Sequence, residues 1–131
     1  MKICRFNDDK LGLVEGPEVV DVTGALDVIP ASRWPAPVGD ALIGNLVAVC
    51  DKAAALAVSG RRYKLEDVVL KSPIANPNKV IGAPVNYYAH QQEAVEDTGV
   101  SFGREIQTID HYGLFLKNPV LVGPGEGVDL H

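Results

Sequence analysis

The first thirty residues alternate between short apolar runs and turn residues, a pattern typical of β-strands. The segments KICRF, LGLVEG and VVDVT are rich in apolar and β-branched side chains, and the intervening NDDK and GPE are rich in residues that favour turns. This pattern predicts three short strands. Three prolines within residues 30–38 exclude regular secondary structure from that segment.

A helix is predicted between Asp40 and Ser59, because apolar residues recur there at helical spacing. The apolar stripe consists of Leu42, Leu46, Val49, Cys50, Ala53, Leu56 and Ala57. Gly60 follows the stripe and is expected to cap the C-terminus of the helix. The segment KLEDVVLKSPI then predicts a further strand that runs into a loop. Residues 1–72 are therefore interpreted as a small α+β domain whose features all indicate packing rather than chemistry.

Residues 73–78 are interpreted as a linker, because prolines and asparagines dominate this stretch. Residues 79–131 are interpreted as the beginning of a second, incomplete domain. Its segments predict in turn a buried strand (KVIGAPV), a helix that ends near Gly99 (NYYAHQQEAVEDTG), a polar loop (VSFGREIQTIDH), a short strand that ends at Lys117 (YGLFLKNP) and a turn (PGEG).

Composition favours a globular protein and excludes several classes of function. The 131 residues are 47% hydrophobic and 22% charged, with a formal net charge of −5. This acidic balance argues against binding to nucleic acids or to anionic membranes. No run of 18 apolar residues and no signal-peptide core is present, so a cytoplasmic protein is expected. Cys4 and Cys50 are accordingly interpreted as reduced, buried thiols.

His90 and Glu93 lie three residues apart in the second predicted helix, so they share one face of it. A carboxylate beside an imidazole holds the tautomer and stabilises the imidazolium, which lets the histidine accept a proton from water. The same spacing also occurs on ordinary solvated helix faces, and with a single histidine it is not an HExxH zinc motif. The pair alone therefore leaves both interpretations open.

The order of motifs beyond the linker resembles the fumarylacetoacetate hydrolase family, in the arrangement of its bacterial members. The motif K-V-I-G-x-x-x-N-Y-x-x-H-x-x-E begins at Lys79, F-L-K-x-P ends at Pro119, and V-G-P-G-x-x-V-x-L ends at Leu130. The resemblance is weak over residues 1–72, where such members carry a small N-terminal domain. Pro84 and Val85 depart from the family pattern and alter the turn before the helix.

This resemblance implies an α+β fold whose catalytic domain is built on a mixed, highly rolled β-sheet. It also implies a divalent metal, Mg²⁺ or Mn²⁺, held by a Glu-x-Glu pair and an aspartate. The chain contains no Glu-x-Glu, so the ligands are expected downstream of residue 131 and none is assigned within it. The chain is thus expected to be the N-terminal part of a longer enzyme, completed by a continuation or by a second chain, and the resemblance implies a homodimer.

The activity implied by the resemblance is hydrolysis of a carbon–carbon bond in a β-diketo acid of the acylpyruvate or fumarylpyruvate type. His90, paired with Glu93, is expected to activate the attacking water from a helix that closes over the substrate as a lid. Lys117 is assigned to the acidic substrate. Asn86 and Tyr87 are assigned to the turn before the helix and to the substrate pocket.

Other interpretations remain open from the sequence. An isomerase, decarboxylase or lyase acting on a 2-oxo acid is the nearest alternative, and a non-catalytic fragment that binds a partner is a second one. His111 is interpreted as a loop histidine, and neither Tyr88 nor His131 is given a role. Residues 79–131 are not expected to be stable alone, because a small piece of rolled sheet leaves strand edges and apolar faces uncovered.

Overall fold

The computed structural model describes residues 1–102 and 106–127, and their fold is α+β, which confirms the predicted class. The strands are β1 (Ile3–Phe6), β2 (Lys10–Glu15), β3 (Glu18–Asp21), β4 (Arg62–Lys64), β5 (Val80–Gly82) and β6 (Phe115–Lys117). The α-helices are α1 (Ala41–Gly44), α2 (Leu46–Leu56), α3 (Tyr88–Glu96), α4 (Thr98–Ser101) and α5 (Ile109–Tyr112). Short 3₁₀ helices occupy Thr23–Val28 and Leu65–Asp67.

Contacts divide the chain into two compact units. The first unit holds Met1–Asn78 and the chain from Val120 onward, and the second holds Lys79–Pro119. Two units of one structure need not be the domains of a longer enzyme, so the domain boundaries predicted at residues 72 and 79 stay a prediction. Among the described residues, no helix is both long and apolar enough to cross a membrane.

The first unit is built on a four-stranded antiparallel sheet in the order β1-β2-β3-β4. Leu13 of β2 pairs with Ile3 on one side and with Val20 on the other, so apolar residues of neighbouring strands share a face. Val19 of β3 pairs with Tyr63 of β4. The three strands predicted from alternation are therefore confirmed.

One face of the sheet forms the main core with α2. From α2, the stripe residues Val49 and Ala53 are fully buried and Ala57 nearly so, as their spacing of four predicts. The buried residues of this core are Leu11, Leu13, Val20, Val22, Ala25, Val49, Ala53 and Ala57. The predicted single helix is wrong in two respects, because Asn45 separates α1 from α2 and because α2 ends at Leu56 rather than at Ser59. Leu46 of the predicted stripe is 36% exposed.

The opposite face of the sheet carries Phe6 and Val19, which are both fully buried. The ring of Tyr63 meets Phe6 edge-on, with 5.6 Å between the ring centroids. The strand predicted in KLEDVVLKSPI is wrong for nearly all of that segment, because β4 spans Arg62–Lys64 and shares only Lys64 with it. The acidic pair after Leu65 lies in a 3₁₀ helix. Consecutive acidic residues are poor strand formers, whereas an aromatic residue packs well on a sheet face.

The two cysteines are free, as predicted, but neither is fully buried. Cys4 lies in β1 and Cys50 in α2, and both are half-buried. Burial raises the pKa of the Cys4 thiol above its ordinary value. The expectation of buried thiols is corrected to this extent, because Cys50 follows the buried Val49 and sits at the margin of the helix stripe.

Asp40 joins the start of α1 to the segment that precedes the second unit. Its Oδ1 accepts hydrogen bonds from the N–H groups of Leu42 (3.0 Å) and Ile43 (3.4 Å), which caps α1. Its Oδ2 accepts from the N–H groups of Ala75 (2.6 Å) and Asn76 (3.2 Å). Burial acts to raise the pKa of the Asp40 carboxyl, but the four N–H donors outweigh it and the pKa lies below its ordinary value.

Replacement of Asp40 by Asn should destabilise the first unit at neutral pH by about 1–2 kcal/mol, because a neutral amide cannot accept four hydrogen bonds in the same way. A depressed folded-state pKa contributes stability that is complete above the unfolded value of about 3.9 and is lost as the pH falls through the folded value. The gap between the two proteins should therefore shrink below about pH 4.

Urea unfolding of both proteins between pH 7 and pH 3 measures this gap. Asp51→Asn serves as the control, because Asp51 is exposed on α2 and should change stability little at any pH. A gap between the parent protein and Asp40→Asn that stayed constant down to the lowest pH would contradict the role given to the carboxylate.

The second unit contains the antiparallel pair β5–β6, in which Gly82 lies opposite Phe115. A Cβ atom on Gly82 would lie 2.3 Å from the Phe115 ring, so only glycine allows the ring to cover this backbone. The two predicted strands are confirmed, but β5 is not buried as predicted, since Ile81 is 54% exposed and its neighbours are only half-buried. The polar loop predicted for residues 100–111 is partly wrong, since α4 ends within it and α5 begins in it, while residues 103–105 lie outside the described residues.

Candidate active site

The helix α3 carries both predicted catalytic residues and follows a tight turn at Pro84 and Val85. Val85 has a φ of 43°, a left-handed conformation that is unusual for a β-branched residue. The helix then begins at Tyr88, and no side chain caps its N-terminus. The predicted helix is therefore confirmed, with its end at Glu96 rather than near Gly99.

His90 lies in the first turn of α3 and is half-buried. Its imidazole packs against the ring of Tyr87, with 5.3 Å between the ring centroids and 38° between the planes. Tyr87 is thus brought next to the predicted catalytic histidine. The role of Tyr87 in the substrate pocket stays a prediction.

Glu93 lies one turn further along α3 and is exposed. Among the described residues, the structure shows no hydrogen bond or ion pair that joins its carboxylate to His90. Residues three apart on a helix have Cβ atoms about 5–6 Å apart, so side-chain rotation alone brings such a pair into contact. The dyad therefore stays a prediction, and α3 supplies the spacing that it needs.

The other two predicted site residues lie on either side of α3 in the sequence. Asn86 is exposed in the segment between the turn and the helix. Lys117 ends β6, is exposed, and places its Nζ 5.7 Å from the centroid of the Phe115 ring. Their roles in binding a substrate stay predictions.

The remaining histidines and Tyr88 are placed as follows. His111 lies in the short helix α5 rather than in a loop, and its ring meets that of Tyr112 edge-on at 5.6 Å. Tyr88 is strongly exposed. His131 lies outside the described residues.

Three cavities in the first unit adjoin Arg5, with volumes of about 500 Å³, about 370 Å³ and about 140 Å³. The guanidinium of Arg5 donates to the carbonyl of Ser72 at 2.8 Å and to Asp9 at 2.5 Å. Lys71 forms an ion pair with Glu126, which also accepts from the N–H of Gly123 at 2.5 Å. The charged groups of Arg5, Lys71 and Glu126 are thus paired with one another or with neighbouring groups.

Glu126 belongs to the predicted PGEG turn, and the structure gives it a partner that the sequence did not indicate. The hydrogen bond from Lys71, followed by that from the N–H of Gly123, holds the pKa of the Glu126 carboxyl below its ordinary value. Lys71 and Glu126 are 55 positions apart in the sequence. No local pattern predicts a pair at that separation.

Gln91 is the residue of α3 that sequence reasoning missed. Its Nε2 donates a hydrogen bond of 2.9 Å to the carbonyl oxygen of Ile106. A glutamine on a polar helix is usually interpreted as a solvated residue. The sequence signal that could have indicated Gln91 is the shortage of apolar residues in α3, since a helix with few apolar contacts needs polar contacts to hold it.

Comparison with known proteins shows that the chain is similar to maleylpyruvate hydrolases. The chain is 48% identical over 133 residues to a maleylpyruvate hydrolase of Aquipseudomonas alcaligenes, and the match covers 99% of this chain and 46% of that protein. A crystal structure of maleylpyruvate hydrolase from Sphingobium sp. SYK-6 matches with a TM-score of 0.56 and 32% identity, over 88% of this chain and 37% of that one.

The Sphingobium enzyme in complex with manganese(II) and pyruvate matches with a TM-score of 0.56 and 29% identity, over 88% of this chain and 36% of that one. No protein-family model matches the chain. The chain thus spans less than half the length of these relatives. At 48% identity over almost all of its length, the chain is homologous to maleylpyruvate hydrolase.

Proposed function

We propose that this chain is part of a metal-dependent hydrolase of the fumarylacetoacetate hydrolase family that cleaves a carbon–carbon bond in an acylpyruvate. The observation that carries the proposal is the 48% identity to maleylpyruvate hydrolase over 99% of the chain. The pyruvate bound to the Sphingobium enzyme supports it, because pyruvate is the product that hydrolysis of an acylpyruvate releases. Since the chain spans less than half of each relative, the activity belongs to a longer polypeptide or to an assembly.

The reaction adds one water across the bond between the distal carbonyl carbon and the methylene carbon. Hydroxide oxygen joins the carbonyl carbon, the carbon–carbon bond breaks, and the methylene carbon leaves with the electron pair as the enolate of pyruvate. That enolate takes up a proton, so the products are a carboxylic acid and pyruvate. A base is needed for the water, because water itself is a poor nucleophile at neutral pH.

His90 is the base in this proposal. Its imidazole accepts a proton from the attacking water and then supplies a proton to the departing enolate. Glu93 lies three residues further along the same face of α3 and stabilises the imidazolium once side-chain rotation brings the two groups into contact. Lys117 is the exposed cation that offsets the negative charge of the substrate in a chain whose net charge is −5.

A divalent metal is part of the proposal, and the described residues do not provide its site. Within residues 1–102 and 106–127, no three His, Cys, Asp or Glu side chains are grouped so that they could hold a metal ion. The manganese(II) in the Sphingobium enzyme supports a metal in the complete protein. We therefore assign the ligands to polypeptide beyond these residues.

The exposed apolar surface of the second unit supports the proposal that further polypeptide completes this part of the enzyme. Ile81, Leu114 and Leu116 are 54%, 64% and 71% exposed around β5 and β6. A two-stranded sheet with such a surface is marginal in water. We propose that the rest of the catalytic sheet covers it, that the complete enzyme is a cytoplasmic homodimer, and that its substrate is a small anionic diketo acid.

Removal of the metal tests the proposed reaction. The complete enzyme should release pyruvate and a carboxylic acid in equal amounts from an acylpyruvate in the presence of Mn²⁺ or Mg²⁺. Treatment with EDTA should abolish the release, and added metal should restore it. Cleavage that continues unchanged in EDTA would refute the metal dependence of the proposed reaction. Loss of carbon dioxide in place of pyruvate release would refute the hydrolysis and favour the decarboxylase alternative.

A further inference from the structure

The orientation of α3 is not explained by apolar packing. Of its nine residues only Ala94 is buried. A helix of this length is not stable in isolation, and in proteins an apolar face usually holds it. Other contacts must therefore fix how α3 is turned about its axis, and with it the direction in which His90 and Glu93 point.

Two hydrogen bonds tie the start of α3 to one segment, residues 106–109. The side-chain amide of Gln91 donates to the carbonyl of Ile106 at 2.9 Å. The N–H of Ile109 donates to the carbonyl of Val85 at 3.4 Å, which is a weaker contact. Of the two, only the bond of Gln91 arises from the helix itself. It is therefore the contact that controls rotation of α3.

Positions around the helix agree with this role. At about 100° per residue, Ala94 falls between His90 and Gln91, and Glu93 falls on the far side of His90. Burial follows the same order: Ala94 is buried, His90 and Gln91 are half-buried, and Glu93 is exposed. The anchored face of α3 is therefore centred near Gln91 and Ala94, and His90 lies at its edge.

We propose that Gln91 is a positioning residue for the reaction. Its hydrogen bond to Ile106 holds α3 so that His90 packs on Tyr87 at the edge of the anchored face while Glu93 faces outward. The catalytic part of this inference rests on the proposed function. The tether itself rests on the geometry of the second unit, and the two parts are tested separately.

Gln91→Met tests the tether, because methionine keeps the length and helix propensity of glutamine but cannot donate the bond. Gln92→Met is the matched control, since Gln92 is exposed and bonds only to Glu96 within α3. In the complete enzyme, hydrogen exchange in α3 is measured by mass spectrometry, and the nuclear Overhauser contact between the Tyr87 and His90 rings is measured by NMR. Gln91→Met should speed exchange roughly fivefold and weaken the ring contact. Gln92→Met should leave both unchanged, and equal behaviour of the two variants would overturn the tether.

Gln91→Glu provides a second test if the methionine variant fails to fold. A carboxylate cannot donate to the Ile106 carbonyl, whereas a protonated carboxyl group can. The protection factor of the α3 amides, which is their exchange rate corrected for the intrinsic dependence of exchange on pH, should therefore rise as the pH falls below about 4.3. A protection factor that stays low at all pH values, or that stays high at all pH values, would refute the bond as the controlling contact.

Kinetics of the complete enzyme test the catalytic part. Gln91→Met should lower kcat about tenfold with little change in KM, because binding groups are untouched while the base is misplaced. An unaltered kcat in an enzyme that cleaves acylpyruvates would refute the positioning role and leave the proposed function standing. If the unaltered enzyme cleaves no acylpyruvate, the proposed function itself is wrong, and the exchange data still decide whether the tether exists.

Discussion

Replacement of His90 by Asn should lower kcat for acylpyruvate cleavage by the complete enzyme by about 10²- to 10⁴-fold. Asparagine retains a polar group of similar reach but cannot accept a proton from water at neutral pH. The substrate is bound by other groups in our proposal, so KM should change little. Steady-state measurement of pyruvate release at saturating metal gives both parameters.

His111→Asn is the matched control for this substitution. Besides His90, the described residues include one other histidine, His111. Its ring contacts Tyr112 in α5 rather than a predicted site residue. Its replacement should leave kcat near the unaltered value. Glu93→Gln should lower kcat less than His90→Asn does, because it removes support for the imidazolium and not the base itself. Equal activity of the His90 and His111 variants would exclude His90 as the base.

Gly60→Ala should destabilise the first unit by about 3 kcal/mol, the upper part of the range for overpacking. A Cβ atom at Gly60 would lie 2.6 Å from the carbonyl oxygen of Asp21 and 2.6 Å from a methyl group of Val20. The carbonyl belongs to β3, whose backbone is fixed by pairing on both sides, so it cannot move aside. Thermal or urea unfolding measures the loss.

Gly44→Ala is the control, because a Cβ atom there meets nothing within 4 Å and Gly44 lies in α1. It should leave stability unchanged or raise it slightly, since alanine is the better helix former. The comparison also separates two explanations for the glycine at position 60, a helix cap and a close approach to β3. The predicted helix cap requires a left-handed backbone, but Gly60 does not have one and α2 ends earlier, at Leu56. A Gly60→Ala variant as stable as Gly44→Ala would contradict the close approach to β3.

Local periodicity explains which parts of the fold were predictable. Alternation around Leu11 and Leu13 indicates a strand with one buried face, and the spacing of Val49 and Ala53 indicates a helix with a buried stripe. Both signals depend only on neighbouring residues. The position of β4 depends on pairing between Val19 and Tyr63, and short apolar runs do not reveal a partner that far along the chain.

The role of Asp40 was hidden for the same reason. The sequence indicated Asp40 only as the start of a helix, and the structure shows that its carboxylate caps α1. Its bonds to Ala75 and Asn76 cross 35 residues of sequence and follow no periodic pattern. Tertiary contacts of this kind become visible only in the folded chain.

The helix that carries the candidate site was predictable, but its contacts were not. The spacing of His90 and Glu93 predicts a shared helix, and α3 contains both. The packing of His90 on Tyr87 depends on side-chain rotamers, which a sequence does not fix. Gln91 belongs to no sequence motif, so its hydrogen bond to Ile106 is evident only in the folded structure.

The activity of a chimera tests most directly whether this chain is part of an acylpyruvate hydrolase in which His90 is the base. In this chimera the present chain replaces the matching part of the Aquipseudomonas alcaligenes maleylpyruvate hydrolase, to which it is 48% identical over 99% of its length. We predict that the chimera releases pyruvate from maleylpyruvate in the presence of Mn²⁺ and that His90→Asn abolishes the release. A chimera that folds and binds the metal but cleaves nothing, or that cleaves equally well with Asn at position 90, would contradict the account.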